Sequence, residues 1–259
     1  MKLLLLPKRF SLLKTFALTF LTFAFIVRLI LYFFAISYID FSFFNLIKMF
    51  GIGLFYDIGS LSYFLAFYVI YLLIFPTKFH GKRLDRILTK FSYGLFLFIS
   101  IFSFLAEVPF WQEYQRRYNF IAVDYLLYTY EVIENIHQTF PIPLLIGIIV
   151  LILILSIKFA KKRNAYKDIF ENSDAFKVKL IPTAIIFLVL AIFHFNIKNT
   201  QAEVFTNVNE NELAKSGLYS FFAAYKSNEL NFKEFYPTIS SDENYSILRT
   251  VVKAENDSL

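Results

Sequence analysis

Apolar residues in this chain are concentrated in long runs, and the polar residues between the runs fall in loops. Each run approaches the roughly 20 helical residues that cross the hydrocarbon core of a bilayer. The pattern predicts an all-α integral membrane protein built as a five-helix transmembrane bundle. The predicted spans are approximately Leu12–Ile36, Phe55–Phe75, Phe91–Val108, Ile142–Phe159 and Leu180–Ile197.

A further apolar stretch precedes the second predicted span and is interrupted by Lys48, Gly51 and Gly53. One charge and two glycines within residues 41–54 suit an interfacial or re-entrant helix better than a helix exposed to lipid. We therefore expect this stretch to form a separate helix and the second span to begin near Phe55.

The parts of the chain that follow from this pattern are a membrane domain and an external tail. Residues 1–200 are expected to form the five-span domain, with an external loop at 108–141. Residues 201–236 are expected to form a juxtamembrane segment with one amphipathic helix near Glu210–Tyr225, because apolar residues recur there at helical spacing. Residues 237–259 have the polar, proline-containing composition of a linker.

Composition and charge support this class of protein. Of the 259 residues, 58% are hydrophobic and 18% are charged, which is unusual for a soluble domain. The absence of cysteine excludes disulfides and thiolate chemistry. The basic residues concentrate at the N-terminus and after the second and fourth spans, and this bias predicts a cytoplasmic N-terminus and an external C-terminus.

Ionisable residues within spans are candidates for function, because such groups usually face the bundle interior and pair with one another. At 1.5 Å per residue, Arg28 lies about 24 Å along the first span, near the outer leaflet. Asp57, Glu107 and His194 lie at the outer ends of three other spans, so the sequence predicts a single polar tier at the outer surface. Arg28 and Asp57 are the expected ion pair, although the guanidinium also suits a lipid phosphate. The alternative is that each side chain extends separately to the headgroups.

The external loop carries a helical pattern of its own. Arg117, Asp124, Tyr128 and Glu131 recur at spacings that place them on one polar stripe of a helix over residues 117–135. Two interpretations remain open, namely an amphipathic helix on the outer membrane face that braces the bundle and a platform for a docked partner. The candidate platform residues are Trp111, Arg116, Arg117, Asp124, Tyr128 and Glu131.

Three segments resemble the lipoteichoic acid synthase-like proteins of the sulfatase/alkaline phosphatase superfamily. The most specific is "AEVPFWQEYQRRYNFIAVDYLLYTYEVIENIHQTFP" (106–141). The others are "GLFYDIGSLSY" (53–63), which contains Asp57, and "NELAKSGLYSFFAAYKSNELNFKEFY" (211–236). The resemblance implies a bacterial cytoplasmic-membrane enzyme with five membrane helices. An external domain would use a metal-bound threonine to transfer phosphoglycerol or phosphoethanolamine from a lipid to an envelope acceptor.

This chain contains the membrane part of that pattern without the motifs of the catalytic domain. The resemblance therefore implies a membrane-anchoring domain that positions a lipid substrate, is inactive alone, and has no catalytic residue, metal site or cofactor of its own. A divalent metal is expected only in the catalytic domain. The expected partners are a membrane phospholipid and a separate sulfatase-like catalytic chain, and no nucleic acid. The alternatives are an assembly protein without a ligand and a small transporter, which needs polar groups through the full membrane thickness.

Overall fold

A computed structural model describes residues 7–39, 42–127, 142–172 and 174–227, together with residues 244, 245 and 249. By internal contacts the chain divides into the units Met1–Tyr225 and Lys226–Leu259. The described residues form helices and the segments that connect them, with no strand among them. Their helices are α1 (Ser11–Ala35), α2 (Phe43–Ile74), α3 (Arg83–Tyr114), α4 (Phe120–Leu127), α5 (Ile142–Lys162), α6 (Ala165–Glu171), α7 (Phe176–Phe195), α8 (Val208–Ala214) and α9 (Gly217–Ser227).

Five helices of the described chain are long and apolar enough to cross a membrane. They correspond in order to the five predicted spans. Large apolar side chains project outward along them, including Phe67, which is 70% exposed. An apolar surface of this extent is stable where lipid covers it, because lipid does not penalise exposed hydrocarbon. The candidate spans are Lys8–Tyr38, Phe43–Ile74, Arg83–Tyr114, Ile142–Lys162 and Phe176–Phe195.

Helix α1 lies at the centre of the bundle and packs against α2 and α3, while α2 also packs against α7 and α3 against α5. Phenylalanine rings fill the middle of this core. Phe20 lies edge-on to Phe104 with ring centroids 5.0 Å apart, and Phe16 and Phe64 extend the same cluster. Edge-to-face pairs add to the stabilisation that these rings gain from burial. An apolar layer therefore separates the two ends of the bundle.

The expected separate helix at residues 41–54 is wrong, because residues 43–54 are continuous with the second span in α2. The Ser42 side chain accepts a hydrogen bond from the Asn45 backbone N–H at 3.4 Å and caps the helix. Gly51 lies beside open space, and Gly53 accommodates the Arg28 guanidinium at a point where a side chain would collide with it. Gly53 therefore serves close packing against Arg28, and neither glycine interrupts α2.

The loop after the third span begins later than predicted, since α3 continues to Tyr114 and includes Trp111. Gln115 ends the helix in the left-handed conformation, with φ of 51°. The helix predicted over residues 117–135 begins only at Phe120. Arg117 precedes it in a bend, and the predicted helical residues Tyr128 and Glu131 lie outside the described residues.

Candidate functional site

The candidate site is centred on a break between α8 and α9. The prediction of one helix over Glu210–Tyr225 is therefore wrong. Helix α8 ends at Ala214 and α9 begins at Gly217. Arg28 Nη1 donates to the backbone carbonyl of Lys215 at 2.8 Å and also to that of Leu213. In a continuous helix these carbonyls would accept from amides four residues later. The break makes them available to the arginine.

Arg28 is enclosed by protein and is only 1% exposed. Its Nη2 forms the predicted ion pair with Asp57, with 2.6 Å between Nη2 and Oδ2. Asp57 and Gly53 are four residues apart on α2, so both face the same guanidinium. The two carbonyls accept from Nη1 and the Asp57 carboxylate accepts from Nη2, so both terminal nitrogens of the guanidinium have partners. The Arg28 side chain is therefore enclosed by protein and is not exposed to a lipid phosphate.

Glu107 pairs with Arg117, with 2.5 Å between Oε1 and Nη1, and both side chains are buried. Arg117 Nε also donates to the Glu212 backbone carbonyl at 3.2 Å, and the Arg117 backbone N–H donates to Glu212 Oε2 at 2.9 Å. The prediction that Arg117 lies on a water-facing stripe is wrong. The bend after Gln115 takes it out of the helix and turns its side chain inward.

Glu212 and Lys215 complete this group of charges, which we call the turn cluster: Arg28, Asp57, Glu107, Arg117, Glu212 and Lys215. Lys215 Nζ lies 2.7 Å from Glu212 Oε1 and 2.8 Å from Glu203 Oε1. The six members comprise three cations and three carboxylates, so each buried charge has an opposite one nearby. Such compensation matters, because removing one member of a buried pair leaves an unbalanced charge that costs about 3–5 kcal/mol.

His194 does not join the turn cluster, so the predicted tier of four groups is wrong in this member. Its side chain is exposed, and its Nδ1 lies 3.4 Å from the Tyr63 hydroxyl. The preceding residue, Phe193, is the one that α7 buries, against Gly59 of α2. Successive residues point about 100° apart on a helix, which directs His194 away from the bundle.

The other predicted platform residues occupy different environments. Arg116 keeps a side chain that is 55% exposed and lies 3.8 Å from Glu212. Asp124 is half-buried on α4, whereas Trp111 is buried at the end of α3. Trp111 borders a cavity of about 210 Å³, which we call the tryptophan cavity. It is lined by Phe34, Ala35, Tyr38, Trp111, Gln112, Gln115 and Asn209.

Two tyrosines attach the segments around the turn cluster to the bundle. Tyr219 of α9 donates to the backbone carbonyl of Ile197 at 2.6 Å and to that of Phe193 at 3.1 Å. Burial raises the pKa of Tyr219 to about 12. Tyr118 donates to the Ser103 carbonyl at 2.8 Å, and burial raises the pKa of its hydroxyl well above the ordinary value. Both phenols therefore remain protonated donors at neutral pH.

A second buried polar cluster lies at the opposite end of the bundle and corrects the prediction of a single polar tier. Arg9 Nη2 is 2.7 Å from Asp85 Oδ1, and Arg9 Nη1 donates to the Ile169 carbonyl of α6 at 2.6 Å. Tyr71 also donates to Asp85. By the sequence pattern, Arg9 belongs to the basic N-terminal segment and Asp85 to the basic loop after the second span, so neither was expected to be buried. The available signal was that Asp85 is the one acid among the basic residues after the second span.

Within the residues that the structure describes, no group of three or more His, Asp or Glu side chains is arranged to hold a metal ion. The chain matches no protein-family model, no curated protein and no solved structure.

Proposed function

We propose that the chain is a membrane-anchoring domain that holds an extracytoplasmic juxtamembrane segment, residues 202–225, in a fixed position on five membrane helices. The observation that carries this proposal is the burial of Arg28 and Arg117 against the backbone of residues 212–215. If the segment left the bundle, both guanidinium groups would lose these acceptors in an apolar environment. The associated penalty favours permanent attachment.

The charge bias of the loops supports an orientation with the N-terminus inside and the turn cluster outside, and the sequence resemblance supports a bacterial cytoplasmic membrane. Helices α4, α8 and α9 would then lie at the outer surface as short interfacial helices. On α9 the aromatic residues Phe222 and Tyr225 are exposed. Aromatic side chains are favoured at the level of the lipid headgroups, which fits this placement.

The resemblance of residues 53–63, 106–141 and 211–236 supports a more specific role. The domain would serve a sulfatase-like transferase of phosphoglycerol or phosphoethanolamine, with catalysis supplied by a separate domain or chain. Because Arg28 is enclosed, the tryptophan cavity is the site at which the domain would position a lipid. Its lining combines aromatic rings with the neutral amides of Gln112, Gln115 and Asn209. Amide groups can donate to phosphate oxygens and accept from headgroup hydroxyl or amine groups.

An assembly protein is the second candidate, and the exposed Phe222 and Tyr225 favour it, because aromatic residues are enriched in protein interfaces. A transporter has weaker support. The phenylalanine layer around Phe16, Phe20 and Phe64 separates the two buried polar clusters.

Photo-crosslinking separates the lipid-positioning role from a purely structural one. A photoreactive residue is placed at Gln112, beside the tryptophan cavity, or at Phe195, which is exposed at the same end of the bundle. The chain is then purified in detergent so that loosely associated lipid is lost. We expect phospholipid to remain crosslinkable from position 112 and not from position 195. Equal yields at the two positions would remove the lipid-positioning role and leave the assembly protein.

A further inference from the structure

A second cavity lies at the other end of the bundle, between the start of α3, the end of α5 and the short helix α6. Its volume is about 490 Å³. Its lining is strongly basic and partly aromatic, and we call it the basic pocket. The residues that define it are Arg86, Lys90, Lys161, Tyr166, Lys167 and Phe170.

The cations of the basic pocket converge from three different helices. Arg86 and Lys90 are one turn apart on α3, Lys161 is on the last turn of α5, and Lys167 is on α6. Glu171 is the one carboxylate in the lining. Within the described chain, no ion pair involves the three lysines, and Arg86 uses its Nε for the Gly81 carbonyl at 2.7 Å. The ammonium groups and the Nη atoms therefore remain available to an external anion.

The wall of the basic pocket formed by α6 is held in place from behind. The Ile169 carbonyl accepts from Arg9 at 2.6 Å, and the Ala165 carbonyl accepts from Ser11 at 2.8 Å. Ala165 and Ile169 are both buried on one side of α6, so the opposite side of this helix faces the cavity. The Phe170 ring also lies 5.4 Å from the Arg86 guanidinium. A basic loop that only directs topology does not require such a preformed recess.

An apolar surface continues from the basic pocket along α5. Ile157 lines the pocket, and Ile154 and Leu151 are exposed on the preceding turns of the same helix. The described part of this span is the least buried of the five, because only 6% of its apolar 18-residue stretch lies inside the protein. A ligand with an anionic head and hydrocarbon chains would match both the basic pocket and the apolar surface of α5, whereas a free anion would match only the basic pocket.

We propose that the basic pocket binds the phosphate group of an anionic phospholipid whose acyl chains lie along α5. Lysine provides point charges, and the Arg86 guanidinium provides donors in the planar arrangement that suits phosphate oxygens. Basic pockets between membrane helices are a general means of retaining anionic headgroups. This site is independent of the tryptophan cavity, which is uncharged and lies at the opposite end of the bundle.

Native mass spectrometry of the full chain, titrated with phosphatidylglycerol in detergent, tests the proposal. The pocket variant is K161Q/K167Q, and the matched control is K158Q/K162Q, which removes two exposed lysines of α5 outside the pocket. We expect the pocket variant to raise the Kd for phosphatidylglycerol about 30-fold, from the usual contribution of two lysines near anionic lipid. The control should remain close to the wild type, and K161R/K167R should retain binding.

Three results would overturn the proposal. Equal weakening by the pocket and control variants would assign the affinity to diffuse surface charge. Equal affinity of the wild type for phosphatidylcholine would remove the requirement for an anion. Displacement of the lipid by inorganic phosphate at comparable concentrations would make free phosphate the ligand. If K161Q/K167Q loses its helical circular dichroism, Lys90→Gln is the replacement variant, because Lys90 is exposed on α3.

Discussion

The two buried arginines of the turn cluster are each accompanied by a carboxylate and by backbone carbonyls. Arg28 has Asp57 and two carbonyls, and Arg117 has Glu107 and the backbone of Glu212. Because an uncompensated charge in such a place costs several kcal/mol, the packing around each guanidinium is expected to be intolerant of change. A small residue beside Arg28 is therefore as necessary to the site as the charged ones.

Replacing Gly53 tests this requirement with a control on the same helix. A Cβ at position 53 would collide with the Arg28 guanidinium, whereas one at Gly51 meets nothing within 4 Å. We expect Gly53→Ala to lower the free energy of unfolding by about 1–3 kcal/mol, as other overpacked sites do. Gly51→Ala should raise it by roughly 0.5–1 kcal/mol, because alanine favours the helix. Thermal unfolding in detergent measures both, and equal effects would contradict the packing argument.

At the scale of elements, apolar run length was sufficient to predict the five spans and their order. It was insufficient for α2, where Lys48 and two glycines suggested a break, because run length does not show that Gly53 makes room for the Arg28 guanidinium. It also failed at Lys215 and Ser216, where the predicted single helix is broken and α9 starts anew at Gly217. In both places the buried Arg28 side chain, which is distant in sequence, contacts the segment. Periodicity contains no information about such a contact.

The connection between α2 and α3 provides a prediction on pH. The His80 ring stacks on Phe75 at 6.2 Å, and its Nδ1 is buried with no hydrogen-bond partner among the described residues. Burial lowers the pKa of His80, nearby Arg9 and Lys179 lower it further, and the Phe75 carbonyl and Asp85 oppose the shift. The neutral ring is therefore favoured in the folded state. Its contribution to stability is present above the unfolded pKa and is lost as pH falls through the lower folded value.

Unfolding temperatures measured between about pH 7.5 and 5.5, a range in which histidine titrates and most carboxylates do not, would test this. We expect the wild type to lose stability toward the acidic end. His80→Phe retains the ring that stacks on Phe75 but cannot be protonated, so its stability should change less over the same interval. A pH dependence that is identical in the two proteins would exclude His80 as its source.

At the scale of the whole bundle, two buried polar clusters lie on either side of an apolar layer, and each holds a helix that does not cross the membrane. The turn cluster holds α8 through the carbonyls of Glu212 and Leu213, and Arg9 holds α6 through the carbonyl of Ile169. The sequence predicted Arg28 and Asp57 correctly as a pair, because both lie within apolar runs. It failed for Arg117 and Arg9, because each lies in a polar segment that only the fold carries inward.

Because the two clusters are separated by the apolar layer, we expect that α8 and α6 can each be loosened from the bundle without loosening the other. Arg117→Gln leaves Glu107 buried without its cation, and we expect amide hydrogen exchange in residues 208–217 to rise by about 100-fold or more. Exchange in α6 should be unchanged. Arg9→Gln should have the converse effect, because it removes the donor to Ile169.

Arg116→Gln is the matched control, since this neighbour is exposed and lies 3.8 Å from Glu212. A pair of that kind contributes only about 0–1 kcal/mol, so exchange in residues 208–217 should remain near the wild-type rate. Reciprocal, local responses would mean that α8 and α6 are separately attached elements on a common apolar core. If either arginine variant accelerated exchange at both ends alike, the two clusters would belong to one cooperative unit. The apolar layer would then transmit the loss of a charge from one end of the bundle to the other.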